Sequence, residues 1–327
     1  MNTVNVPLSD LNKTVKAALD KLGLASNERD IVQQVLMYAE LRGSTQGLVK
    51  IKERTILADK HCTQIKVDKK SLSIATINGG GHTGMYVLST AAAVAADLVK
   101  ASGIALVSTH NTRSSTGAIS YYANELAAQS YISIVLAGSP KVTAIEGGTE
   151  PVFGTNPVAI AIPTEQDPLV FDMATSAMTW FAVINARDNK QTLPEDIAYD
   201  QQGLPTTDPV AAMQGALKTF AGAKGSGLAL MFEILTGVLG NGSITGDEQD
   251  NRSNTIIAID PSVIDSGFTT RASALIERLQ ATRLRPEQKS LRLPGEHSTN
   301  RANRCLAENR IEIDAAIYQH LVDLAGS

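Results

Sequence analysis

Cysteine is the scarcest useful signal. The chain has only Cys62 and Cys305 in 327 residues, which excludes a disulfide framework. Two cysteines so far apart read as free thiols. No His/Cys/Asp cluster has ligand spacing, so no metal is expected. No uninterrupted apolar run reaches the roughly 18 residues of a membrane span, and the best candidate, Gly227–Gly240, carries Glu233. The opening MNTVNVPLSDLNK lacks the basic start and apolar stretch of a signal peptide, so the expected location is cytoplasmic. Positive charge is not in excess: 29 Lys and Arg against 33 Asp and Glu give −4 at pH 7. That argues against nucleic acid or an anionic membrane as partner. Repeats and low-complexity linkers are absent as well.

What is present suits a globular chain of one large or two ordinary domains, with 43% hydrophobic and 19% charged residues. Leu8, Leu11, Val15, Ala18, Leu19 and Leu22 recur at helical spacing, with Ser9 placed to cap and Gly23 to stop. Ser26 is placed to cap a second helix that ends before Gly43, and a third apolar pattern runs from Leu48 to Leu57. The chain to about Asp68 therefore reads as helical. It then turns αβ-like. Strands are expected at Ser71–Ile77, Ile104–Thr109, Ile132–Ala137, Val158–Ile162, Leu169–Phe171 and Thr255–Ile259. Helices are expected at Tyr86–Lys100, Tyr121–Ser130, Thr269–Leu279 and, buried, at Gly227–Leu239. A polar loop is expected over 240–254, a turn-rich stretch at 201–209, and a final helix over Glu312–Ala325.

Gly79, Gly81 and Gly84 fit G-x-G-x-x-G between a strand and a helix, as in a Rossmann fingerprint. That fold also wants an acid at the end of the next strand, which here ends at Ser108, Thr109 and His110. The simpler reading is a tight strand-to-helix turn.

Four other stretches carry a resemblance: LRGSTQGLVK (41–50), EGGTEPVFGTNP (146–157), FDMATS (171–176) and AKGSGLALMFE (223–233). NTRSSTGAISYY (111–122) and LPGE (293–296) add to it. In this order the chain resembles the type 2 malate/L-lactate dehydrogenase family, from about residue 8 to residue 325. That family includes reductases of ureidoglycolate, diketogulonate, sulfolactate and cyclic imino acids. The resemblance implies a mixed α/β (α+β) fold that is not Rossmann. A helical unit would form from both chain ends, 1–70 with 280–327, around a central NAD(P)-binding unit, 71–279. It also implies a homodimer, NAD or NADP as cofactor, and a small carboxylate as substrate. Asp172, Met173, Ala174, Ser139, Pro294, Gly295 and Glu296 would then hold cofactor. Alone, Asp172 also reads as a helix cap or turn residue, and Pro294–Glu296 as a turn.

Lys224 stands at the start of an apolar helix, where the helix dipole does not favour a cation. That supports a catalytic or anion-binding lysine over a solvated one. The chain departs from the resemblance at two places. The family's S-H-G with Arg two residues on is Thr45-Gln46-Gly47 with Lys50, and its histidine before a glycine turn is Ser115, followed by Thr116 and Gly117. Gln46 and Ser115 cannot exchange a proton near neutral pH as histidine does. Lys50, Thr116 and Tyr121 would bind substrate, with Lys224, Ser115 and Gln46 as the catalytic set. His110, Tyr121, Tyr122 and Lys224 remain as proton sources, although a lone strand-end histidine such as His110 is more often structural. A 2-oxo acid other than malate's or lactate's partner, or a cyclic imine bound already protonated, fits the changed pocket. The competing reading is a cofactor-binding protein without dehydrogenase activity.

Overall fold

The computed structural model describes residues 2–56, 58, 61–244, 251–288 and 290–326, and the fold is mixed α/β. A seven-stranded sheet lies at its centre. Across it run β2 (Lys66–Lys69), β3 (Ile74–Asn78), β4 (Ile104–Thr112), β12 (Arg252–Ile259), β5 (Ile132–Ala137), β8 (Val158–Ile162) and β9 (Leu169–Met173). Only β3 and β4 pair in parallel; the other neighbours are antiparallel. A Rossmann sheet is parallel around its phosphate loop, so this is a different fold. The turn at 79–84 does lead from β3 into α4 (Gly84–Ser102), but its amides are already used. Gly79, Gly81 and Gly84 donate to the carbonyls of His110, Asn111 and Arg113. A Cβ on Gly79 or Gly84 would come within 2.9 Å of Asn111 or Thr116. The glycines therefore serve close packing.

Helix α4 lays Met85, Val87, Leu88, Ala91 and Ala95 on the sheet. It is long and apolar enough to cross a membrane by composition, yet more than half of it is buried inside the protein. Beside it, α5 (Ser120–Ala127) packs on β5 and β8.

The chain ends meet. Helix α1 (Leu8–Lys21) packs on α2 (Ser26–Leu41) and on α11 (Ala315–Gly326), and α10 (Glu296–Glu308) packs on α2. Strands β1 (Thr3–Pro7) and β13 (Arg310–Asp314) form an antiparallel ribbon between them. The strand at 310–314 replaces the first turn of the expected final helix. Ser9 and Ser26 lie inside their helices, which start after Pro7 and Ala25 without side-chain caps. Gly23 does end α1, at φ +78°. The expected third helix is only α3 (Val49–Lys52); Arg54 at φ +53° turns the chain out of it. Leu57 lies outside the described residues.

A smaller unit forms around Val183, Ala186, Leu193, Ala198 and Leu217. It combines α6 (Trp180–Asp188), α7 (Pro209–Gln214) and a four-stranded sheet of β10 (Ala198–Tyr199), β11 (Ala216–Leu217), β6 (Thr143–Ala144) and β7 (Pro151–Phe153). Helix α8 (Ala223–Glu233) continues into a π turn at Ile234–Val238. It is not the buried helix expected. It buries Ser226, Ala229, Glu233 and Thr236, and leaves Leu228, Met231, Ile234, Leu235 and Val238 exposed. Polar anchoring sets that orientation, because Asn156 Nδ2 donates to Ala229 O and Glu233 Oε2. Helix α9 (Phe268–Gln280) lies as expected. Strand β12 starts at Arg252, inside the stretch read as loop, of which 245–250 lie outside the described residues.

Candidate active site

A cavity of about 360 Å³ opens where α3, the β4–α5 loop, the ends of β5 and β9, α6 and the start of β12 converge. Gln46, Lys50, Ser115, Thr116, Ser139, Asp172 and Ala174, all expected at a site, line it. Met173, Tyr121 and Lys224 do not. Lys224 is exposed at the first turn of α8. The Tyr121 hydroxyl donates to Gln34 Oε1 at 3.1 Å, and burial pushes its pKa up to about 12. Tyr122 is fully buried and donates to Thr116 O at 2.8 Å. No histidine lines the cavity among the described residues. His110 is set in β4, its pKa lowered by burial, and His82 Nδ1 pairs with Glu28. Pro294, Gly295 and Glu296 border a second hollow with Leu169 and residues 164–168.

The loop bearing Gln46 is held from below. Glu40 Oε2 accepts the Leu48 amide at 2.8 Å, and any side chain on Gly47 would collide with that carboxylate. Burial raises the Glu40 pKa, against the lowering effect of the Leu48 amide. Then comes Lys50, only 2% exposed, with Nζ 3.9 Å from the centre of the Phe181 ring. Its pKa is lowered to about 7, first by burial and second by the charge of Arg252.

The β4–α5 loop forms the facing wall. Ser114 and Gly117 adopt positive φ, +55° and +68°. Ser115 Oγ accepts the Gly117 amide at 3.0 Å, which leaves its own O–H to donate. Arg252 donates to Ser114 O at 2.7 Å. Ser114 Oγ is buried without a hydrogen-bond partner, an orphan that a bound polar group would satisfy. Ser139 serves the wall: its Oγ accepts the Thr155 amide at 2.9 Å, and Gly154 has no side chain because Ser139 occupies that space. The FGTNP motif is thus a braced turn. In FDMATS, the Thr175 amide and hydroxyl both reach Thr155 O. The Asp172 carboxyl has its pKa raised by desolvation in the packed wall, although Ser120 pulls it down and over a third of the residue is open. Thr179 caps α6, whose Trp180, Phe181 and Ile184 make the apolar side of the cavity.

Sequence reading missed Arg252 and Ser114, whereas Trp180, eight residues after Asp172, is expected from the sequence to report cofactor binding and does line the cavity. Arg252 follows an acidic stretch and starts a strand reading Arg-Ser-Asn-Thr, where no apolar alternation marks the strand. Its position three residues before a clear strand was the one available sign.

Residues 6–322 match the family model described as malate/L-lactate dehydrogenase. The chain is similar to a ureidoglycolate dehydrogenase (NAD(+)) of Escherichia coli, 30% identical over 95% of this chain and 93% of that one. It is also similar to a Δ1-pyrroline-2-carboxylate reductase of Burkholderia multivorans, 34% identical over 78% and 77%. A solved dehydrogenase from Sinorhizobium meliloti superposes with a TM-score of 0.88, at 29% identity, covering 99% of this chain and 98% of that one.

Proposed function

Since the chain belongs to the malate/L-lactate dehydrogenase family and is an oxidoreductase, we propose that it moves a hydride between NAD or NADP and C2 of a small 2-oxo or 2-hydroxy acid or a cyclic imino acid. The carrying observation is the cavity itself. Two cations line it, Lys50 and Arg252, close enough for one to act on the other. Trp180, Ile184 and Pro140 give the cavity its apolar side. Cations held out of bulk water attract an anion strongly, and a guanidinium grips a carboxylate with paired hydrogen bonds. The apolar side suits a planar nicotinamide ring, and the orphaned Ser114 Oγ suits a polar substituent on it. Bound there, the cofactor supplies the redox chemistry; the protein orients and neutralises.

Asp172, Ala174 and Ser139 would hold the nicotinamide end. Pro294, Gly295 and Glu296 would hold the far end. The two hollows border opposite ends of β9, at Leu169 and Asp172, about 10 Å apart at strand rise, a span that a dinucleotide bridges. Gln46, Ser115 and Thr116 would hydrogen-bond the substrate. In this reading Gln46, Lys50 and Pro294–Glu296 come from the unit built by both chain ends, 1–70 with 280–327, and the other groups from 71–279. Lys224 and Tyr121 keep their proposed roles only if they reach the site in an assembly. The assembly we propose is a homodimer through the exposed apolar face of α8, acting in the cytoplasm without a metal.

A panel of 2-oxo acids, 2-hydroxy acids and cyclic imino acids, followed by NADH and NADPH absorbance, tests the reaction. At least one small carboxylate is expected to turn over, and chelators to leave the rate unchanged. Cofactor binding without turnover of any of them would favour a binding protein instead.

A further inference from the structure

Resting on that reaction, we infer that Lys50 is the group that gives and takes the substrate's proton, and that the substrate is therefore a 2-oxo or 2-hydroxy acid. The resemblance leads one to expect a histidine for this task, yet Gln46 and Ser115 stand at those positions and no described histidine lines the cavity. Neither an amide nor a serine hydroxyl releases a proton near neutrality by itself.

Lys50 differs from the lysine two residues on. Lys52 is paired with Asp188 at 2.7 Å and with Glu53. The Lys50 ammonium makes no hydrogen bond or ion pair among the described residues, and its contact is the Phe181 ring. An unpaired, buried ammonium is costly, and relief comes from losing the proton or meeting an anion. The groups around it leave it titratable. Among the described residues, Arg252 on β12 is the one charge acting on it. Helix α6 presents Phe181, while its Arg187 and Asp188 pair with Glu53 and Lys52. Helix α11, packed on α3, carries Tyr318, His320 and Asp323, none of which acts on Lys50. Asp172, the one carboxylate lining the cavity among the described residues, does not act on it either. With a pKa near 7, both protonation states of Lys50 are populated at working pH, which general acid–base catalysis requires.

In oxidation, the substrate O–H bond breaks and its proton passes to neutral Nζ. The C2–H bond breaks with its electron pair leaving as hydride to the oxidised nicotinamide, and C=O forms. The substrate loses two electrons and the cofactor gains them. In reduction the Lys50 ammonium returns the proton to the carbonyl oxygen. Arg252 stays charged throughout and holds the carboxylate. A protonated cyclic imine brings its own proton and would not need Lys50.

Lys50→Arg separates proton transfer from charge, because it can hold a carboxylate but releases no proton near neutrality. On a 2-oxo acid, kcat is expected to fall about 100-fold or more with KM within a few-fold, and the limb of the kcat/KM pH profile near pH 7 to disappear. Lys50→Met, nearer in shape, should lose kcat equally; circular dichroism verifies that both variants fold. The second readout uses neither substrate nor cofactor. In protein carrying 13C-labelled lysine, the Lys50 Cε resonance, identified by its loss in Lys50→Arg, should titrate near pH 7, far below the usual value of about 10.4. A midpoint above pH 9, or a Lys50→Arg enzyme with wild-type kcat/KM and pH profile, overturns the inference. Turnover of cyclic imino acids alone overturns it too, while the family reaction stands. If the wild-type protein turns over no small acid at all, the proposed reaction falls and this inference with it, whatever the lysine titration shows.

Discussion

A lysine that spends its life between charged and neutral leaves a mark on stability as well as on rate. Lys50 titrates near pH 7 in the folded chain and near 10.4 when unfolded. Between those values the unfolded chain binds more protons, so folding stability rises with pH across that window. Above about 10.4 the cost of burying Lys50 is absent; as pH falls through about 7 it is felt in full. Urea unfolding of the wild type, referred to Lys50→Met to cancel all other groups, is therefore expected to improve by on the order of 3–4 kcal/mol from pH 7 to pH 10. A flat difference would mean that Lys50 reaches solvent. At Gly117 the constraint is steric. Its φ is +68°, and a Cβ would lie 2.5 Å from Val35 Cγ1 in the core of α2. Gly117→Ala combines left-handed strain with overpacking, and should cost about 2–4 kcal/mol, read as a lower Tm. It should also disturb Ser115, whose Oγ accepts the Gly117 amide. The identities at 50, 115, 117 and 172 were legible in the bare sequence. The state of Lys50 was not, because it depends on Phe181 and Arg252, which are remote along the chain.

Elements whose pattern is local were read correctly. Strands β5 and β8 fall where apolar runs bounded by turn residues put them. Those that depend on distant partners were not: β1 and β13 are short, and each is a strand only because the other end of the chain pairs with it. Helix α8 shows the opposite error. Its apolar composition reads as burial, but composition does not say which face turns inward. Asn156 holds Ala229 and Glu233 against the body, so leucines, isoleucine and valine face out. A contiguous exposed apolar face marks an interaction surface, and a second copy is the occupant proposed for it. Light scattering should give about twice the 34.6 kDa of one chain. The double substitution Met231→Glu with Val238→Glu should return a folded monomer. A wild-type monomer at micromolar concentration would remove this assembly.

At the scale of the whole molecule, the cavity draws its groups from distant parts of the chain: α3 near the start, β9 and α6 in the middle, β12 late. Trp180, the chain's one tryptophan, sits in its wall, so its fluorescence should change on titration with NADH or NADPH. No change, together with no heat by calorimetry at millimolar cofactor, would count against the cofactor site. The sequence by itself determined which residue types stand at 46, 50, 115 and 172 and the mixed α/β class, because motifs and periodicity are written in neighbouring residues. Only the tertiary structure decided that Pro294–Glu296 and Asp172 lie at opposite ends of one strand, that Arg252 joins Lys50, and that α8 faces outward. Those facts come from long-range packing, and packing also removes water from Lys50, which turns an ordinary surface cation into a group that can exchange a proton near neutral pH.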